Sequence, residues 1–175
     1  MIAMTLTIRN EEPRDYETIK TILLQAFENH PHGGYHGEDR LVELLRKHHA
    51  MTVGFVAEKD GAVVGHIAIS PVTIDGKNTH WFGLGPVAVR GDLQKQGIGS
   101  RLILSGLEAL KQKNAAGCML TGEPGYYNRF GFQSQDKLVL EGVPNEYFLV
   151  FSFNGEIPTG VVRFHSAFTD CLPSR

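Results

Sequence analysis

The run Val87-Ala-Val-Arg-Gly-Asp-Leu-Gln-Lys-Gln-Gly-Ile-Gly-Ser-Arg-Leu102 constrains the fold more than any other stretch of the chain. Its apolar start predicts the end of a strand. Beyond it, Ile98, Leu102, Ile103, Leu107 and Leu110 recur at helical spacing, with Arg101, Ser105, Glu108 and Lys111 on the opposite face. Between the two stands Gln94-x-x-Gly97-x-Gly99. A helix N-terminus leaves about four N–H groups without intrahelical partners and carries about half a positive charge. Glycines there lack the Cβ atoms that would hold an anion away from the backbone. The segment therefore predicts either a tight strand-to-helix connection or a phosphate cradle. Two other glycine patterns fail on context. Gly83-Leu-Gly85-Pro-Val-Ala88 matches G-x-G-x-x-A but runs on as Val87-Ala88-Val89, a strand where a dinucleotide site needs a helix to begin. No G-x-x-x-x-G-K-[ST] run exists for a P-loop.

The rest of the chain alternates short apolar strands and amphipathic helices. Leu6 and Ile8 predict a first strand. Glu12-Pro13-Arg14-Asp15 suits a helix first turn, and Tyr16, Ile19, Ile22, Leu23, Ala26 and Phe27 share one helical face. Residues 29–37 read as a loop, followed by a helix from about Glu38 to Lys47. Val53–Glu58, Ala62–Thr73 and His80–Val89 predict three strands, separated by Lys59-Asp60-Gly61 and Asp75-Gly76-Lys77-Asn78. After the long helix come a strand at Gly117–Thr121, a short aromatic helix near Tyr126–Phe130, and strands around Phe132 and at Tyr147–Phe153. The order β-α-α-β-β-β-α-β-α-β-β, with three hairpin-linked strands, predicts an α+β (mixed α/β) fold rather than a regular βαβ winding. Pro144, Gly155, Pro158 and Gly160 predict a looser segment over 154–175, in which Val161–Phe164 can still close the sheet.

Composition narrows the function classes. A chain of 175 residues predicts one domain spanning 1–175. Seventeen Lys plus Arg against nineteen Asp plus Glu, a net charge of −2, give no strong pull on nucleic acid or an anionic membrane. Two cysteines, Cys118 and Cys171, make neither a disulfide scaffold nor a C-x-x-C site. Met1–Arg9 lacks a signal-peptide pattern, and no apolar run approaches a membrane span, so a cytoplasmic location is expected. His30, His32 and His36 cluster without a cysteine on a glycine-rich segment, which favours a loop over a metal site, and no metal is expected. His66 and His80 are expected at ordinary strand positions, His80 within reach of the sheet's open end.

Gln94-Lys-Gln-Gly97-Ile-Gly99 resembles the Q/R-x-x-G-x-G/A pyrophosphate loop of the GNAT superfamily of acetyl-CoA-dependent N-acetyltransferases. Tyr126-Tyr-Asn-Arg-Phe-Gly-Phe132 resembles the same family's aromatic-Tyr-x-x-x-Gly-Phe block, in the right order and with a helix and a strand between. The resemblance covers about residues 5–153. It implies the GNAT fold, a mostly antiparallel sheet splayed to admit acetyl-CoA. It also implies backbone amides of Gln94, Lys95, Gln96, Gly97, Ile98, Gly99 and Ser100 around the coenzyme A pyrophosphate. Val87, Ala88 and Val89 would pair with the pantetheine arm, Pro86 would sit at a bulge, and Tyr127 would protonate the departing thiolate. His32, Tyr35 and Glu38 fall in the region the family uses to bind its acceptor. The chain departs from the pattern twice. The strand His80–Val89 carries no carboxylate to act as base, which leaves Glu123 as the catalytic candidate, and Thr121–Gly125 lacks the family's frequent asparagine. The implied activity is acetyl transfer to a primary amine of a small molecule or peptide, by a monomer or homodimer. A silent acyl-CoA sensor, a longer acyl donor, and a hydroxyl or thiol acceptor remain open.

Overall fold

The computed structural model describes residues 5–28 and 34–173. Its strands and helices, in chain order, are β1 Leu6–Asn10, α1 Tyr16–Glu28, α2 Glu38–Lys47, β2 Val53–Lys59, β3 Ala62–Ile74, β4 Lys77–Val89, α3 Ile98–Gln112, β5 Gly117–Thr121, α4 Pro124–Tyr127, β6 Gln133–Ser134, β7 Leu138–Val139, β8 Phe148–Ser152, β9 Gly160–Arg163 and α5 Ala167–Asp170. The sheet runs β1-β2-β3-β4-β5-β8-β6, with β9 joining both β3 and β7. Most pairings are antiparallel; β4 with β5 and β7 with β9 are parallel. This is the expected mixed α/β architecture.

Local chemistry explains the hairpins. Asp60-Gly61 and Asp75-Gly76 hold positive φ at both positions, as two-residue type I′ turns require, so pairing resumes at once with Lys59↔Ala62 and Ile74↔Lys77. β4 therefore begins three residues before the sequence suggests. Lys77–His80 are polar because this hairpin tip stands in solvent. His80 is exposed there, with positive φ, and far from the parting of the sheet described below.

The two sheet faces bury different partners. α3 lays Ile98, Leu102, Ile103, Leu107 and Leu110 on Ile67, Ile69, Leu84 and Leu120. On the other face, Ile19, Ile22 and Leu23 of α1 and Leu41, Val42 and Leu45 of α2 cover Val56, Ala68 and Ala88. The C-terminal segment is woven in: Thr73↔Arg163 and Ile74↔Val162 pair β3 with β9, and Ala167 and Cys171 join the α1–α2 core. Among the described residues, no helix is long and apolar enough to cross a membrane.

A charged cluster lies inside the α1–α2 face. His66, fully buried on β3, meets Glu11 at 2.7 Å through Nε2, while Arg46 donates to Glu11 at 2.6 Å and stacks 3.8 Å over the Tyr16 ring. Burial chiefly pushes His66 below its usual range, so the neutral ring donates from Nε2. Nδ1 then carries only a lone pair, and it has no protein partner. Burial pushes Glu11 upward, but its bonds to His66 and Arg46 outweigh this and hold it below the ordinary carboxylate range. Asp15 is also lowered, first by its hydrogen bond from Arg9.

Folding thus favours neutral His66 and ionised Glu11 and Asp15. The His66 contribution is complete above its unfolded pKa of about 6.5 and is lost as pH falls from there through its folded value; the carboxylate contribution is present above about 4 and fades below. Thermal melts should show Tm declining first below about pH 6.5 and again in stronger acid. His66→Gln, which keeps a donor for Glu11 but cannot titrate, should flatten the first decline. Glu11→Ala leaves the half-buried Arg46 and the buried His66 N–H without their acceptor and should cost about 1–3 kcal/mol, a Tm drop of about 2 to 12 °C.

Candidate active site

The site begins where the sheet comes apart. β4 and β5 pair in parallel over Trp81–Gly83 and Gly117–Met119 only. Beyond Gly83, β4 bulges at Gly85-Pro86, since Ile69 pairs with Leu84 and Ile67 with Val87. A bulge turns a strand locally and re-aims its edge. Into the gap opens a cleft of about 940 Å³. Leu84, Gly85, Pro86, Val87, Ala88 and Gln94 line one side, and Thr121, Gly122, Glu123, Tyr126, Tyr127 and Tyr147 the other. The sequence expectation of a bulge at Pro86 agrees with this placement.

At one end stands the N-terminus of α3. Lys95 and Gly97 have φ of 64° and 85°, so the chain coils into a concave turn before the first helical bond, Arg101 N–H to Gly97 C=O. Gly97 is the left-handed N-cap, where a side chain would be strained. A Cβ on Gly99 would lie 3.4 Å from the Tyr126 hydroxyl, so that hydroxyl sits directly over the loop. Ile98 is buried in the core and offers only its backbone. Of the loop residues, Gln94 alone reaches the cleft wall, and its Nε2 donates to Val89 C=O at 3.1 Å.

Across the gap from β4 stands Tyr127. Its ring lies flat against Gly122, where an added Cβ would come within 2.5 Å of Cε2, and it meets Phe132 edge-on at 6.2 Å and Tyr126 at 4.9 Å. Burial pushes its phenol up to about 12, so it stays protonated through the neutral range. Glu123 occupies the N-cap position of α4, on the cleft wall.

The third wall comes from both ends of the chain: Ala26 and Phe27 of α1, Glu38 and Leu41 of α2, and Phe164, Phe168, Cys171 and Leu172 of the C-terminal segment. Gly37 locks these together, because a Cβ there would overlap the Cys171 carbonyl oxygen. Glu38 is on this wall; Tyr35 is not among the lining residues, its hydroxyl donating to Asp39. His32, like His30, lies outside the described residues. Among the described residues, no group of three His, Cys, Asp or Glu could hold a metal. The sequence missed Leu84, Gly85, Tyr147 and the whole C-terminal wall, which no local motif marks.

A model of the acetyltransferase (GNAT) family matches residues 16–132. The chain belongs to this family. The uncharacterized N-acetyltransferase YhbS of Escherichia coli K12 is 36% identical over 129 residues, 73% of this chain and 74% of its own. Crystallised with CoA, E. coli YhbS superimposes with a TM-score of 0.86 at 32% identity, covering 97% of this chain and 94% of that one. A GNAT family acetyltransferase from Brucella melitensis, crystallised with acetyl-CoA, gives a TM-score of 0.83 at 40% identity, covering 94% and 98%. The chain is thus a GNAT acetyltransferase by sequence and by fold.

Proposed function

We propose that residues 1–175 act as one acetyltransferase domain that moves acetyl from acetyl-CoA to a primary amine of a small molecule or peptide by direct transfer. The observation that carries this is the parting of β4 from β5 between a glycine-capped helix N-terminus and a half-buried tyrosine. Arg90 N–H bonds Val64 on β3, so strand alternation turns Ala88 toward β3 and leaves Val87 and Val89 facing the parted edge. Gln94 already occupies the Val89 carbonyl. Val87 therefore takes the main share of pairing with a pantetheine arm, and Ala88 contributes packing. The backbone amides of Gln94 to Ser100, uncrowded at Gly97 and Gly99, suit the pyrophosphate.

Bound acetyl-CoA supplies an activated acetyl group: amine attack forms the C–N bond as the C–S bond breaks. Tyr127 gives its phenolic proton to the departing sulfur and regains one from solvent. Glu123 takes the amine's surplus proton through water. An amine of pKa about 10.4 is neutral at pH 7 in only about 1 molecule in 2500, so orientation in the cleft supplies much of the rate.

Acetyl-CoA at about 100 times its Kd should raise Tm by about 5 to 10 °C with no acceptor present. Gly99→Val should keep the fold and lose the shift, because its branches fill the space under Tyr126. Gly97→Val should lose it too, at an added cost of about 1–2 kcal/mol from left-handed strain. A normal shift in folded Gly99→Val displaces the loop from the site.

Tyr127→Phe keeps the ring packing, so acetyl-CoA binding should persist while kcat falls by about 10- to 10⁴-fold. Tyr126→Phe should change kcat by less than about threefold. Equal chemical-step rates in wild type and Tyr127→Phe would remove the phenol from the reaction. Binding without thiol release on any amine would make the protein an acyl-CoA sensor.

A further inference from the structure

We propose that the acceptor is an apolar monoamine without a carboxylate, an arylalkyl- or alkylamine, recruited by Glu38 and seated against Leu41, Phe164, Phe168 and Leu172; this rests on the acetyl-transfer reading above. The charge of the cleft carries the first half of the argument. Its lining among the described residues holds Glu38 and Glu123 but no Lys or Arg. An amino acid or an acidic peptide would bring its carboxylate into this negative field, where the described lining offers no Lys or Arg to receive it and its one imidazole, His36, already lies 3.8 Å from Glu38. A cationic ammonium is drawn in by the same field.

Glu38 is held in place for that role. It lies in the first turn of α2, and its carboxylate accepts the His36 N–H at 2.9 and 3.1 Å, with only 13% of the side chain exposed. The Cys171 thiol, on the same wall, is pushed up first by burial and next by Glu38.

The second half is the wall beyond Glu38. Leu41, Phe164 and Phe168 are apolar, and Leu172, half exposed, extends the same surface toward solvent. A polyhydroxylated amine or the second ammonium of a polyamine would lose water against this wall without a hydrogen-bond partner. A phenyl or branched alkyl group is stabilised there by its own burial.

Thiol release should be measured at saturating acetyl-CoA with phenethylamine, isoamylamine, phenylalanine and spermidine, and phenethylamine binding to the CoA-saturated protein followed by calorimetry. Phenethylamine should exceed phenylalanine in kcat/KM by about tenfold or more, and isoamylamine should also outrank phenylalanine and spermidine. Glu38→Gln keeps an acceptor for the His36 N–H; it should raise KM and calorimetric Kd for phenethylamine about tenfold, leave kcat within about threefold, and narrow the preference over phenylalanine. Leu172→Lys, on the half-exposed rim, should act in the same direction without touching Glu38. Faster turnover of phenylalanine or spermidine, an unchanged preference in both variants, or no calorimetric binding of phenethylamine overturns the inference and leaves acetyl transfer standing. Phenethylamine binding that depends on Glu38, with no thiol released on any amine, keeps the amine site at Glu38 and removes the acetyl-transfer reading, and with it the amine's role as acceptor.

Discussion

A parallel strand pair that separates inside a sheet is the constraint around which this molecule is arranged. Interior strands normally spend every backbone N–H and C=O on a neighbour, and leaving such groups dry and unpaired is costly. Here β4 gives up its partner after Gly83, yet its other edge stays bonded to β3 at Ala88 and Arg90. The strand is thus held on one side and open on the other. Gln94 satisfies one freed carbonyl, at Val89, and the cleft gives the others water or a ligand with amide groups of its own. A fold built this way presents a preformed extended edge, so an arm that pairs with it has little ordering left to do.

Rigidity on both flanks keeps that gap from closing. α3 packs Ile98 and Leu102 under β3 and β4, which fixes the loop that precedes it. On the opposite face, α1 and α2 are tied to the sheet through the Glu11–His66–Arg46 cluster as well as through apolar packing. Buried charge clusters add little net stability, but a polar network satisfied in only one geometry selects one seating of the helices on the strands. The seating matters because α2 starts at Gly37, pressed on Cys171, and carries Glu38 to the cleft. Register errors beneath α2 would therefore travel to the wall of the site.

What could be read from the sequence follows from how local each signal is. The I′ turns at Asp60-Gly61 and Asp75-Gly76, the amphipathic α3, and the glycine loop are set by residues a few positions apart, and the structure places them where the letters do. The polar opening of β4, Lys77–His80, did not look like a strand because its pairing is dictated by the turn rather than by burial. Farther reach defeats pattern altogether. Glu11 and His66 are 55 residues apart, and Gly37 meets Cys171 across most of the chain. Phe164, Phe168 and Leu172 resemble any apolar residues near a chain end, yet they form a wall of the cleft. Tyr35, chosen for its position in the loop, turns out to be bonded to Asp39, a helical neighbour that the spacing permitted but did not demand.

The two ends of the cleft make opposite electrostatic demands, and the structure separates them in space. Holding the anionic part of a coenzyme needs backbone N–H groups and a helix dipole, a fixed positive potential at the start of α3. Receiving an amine needs the reverse, and the carboxylates on the described lining are Glu38 on the α2 wall and Glu123 on the wall that carries Tyr127. Between them lies Tyr127, a group with no formal charge that burial keeps protonated. A lysine or histidinium in its place would add a cation beside the incoming ammonium, and a carboxylic acid would ionise near neutrality unless its pKa were raised far more. A phenol against Gly122 and Phe132 can part with a proton only as negative charge builds on a neighbouring atom. In the proposed reaction that atom is the departing sulfur, so the neutrality of the ground state and the acidity required late in the step come from the same half-buried ring.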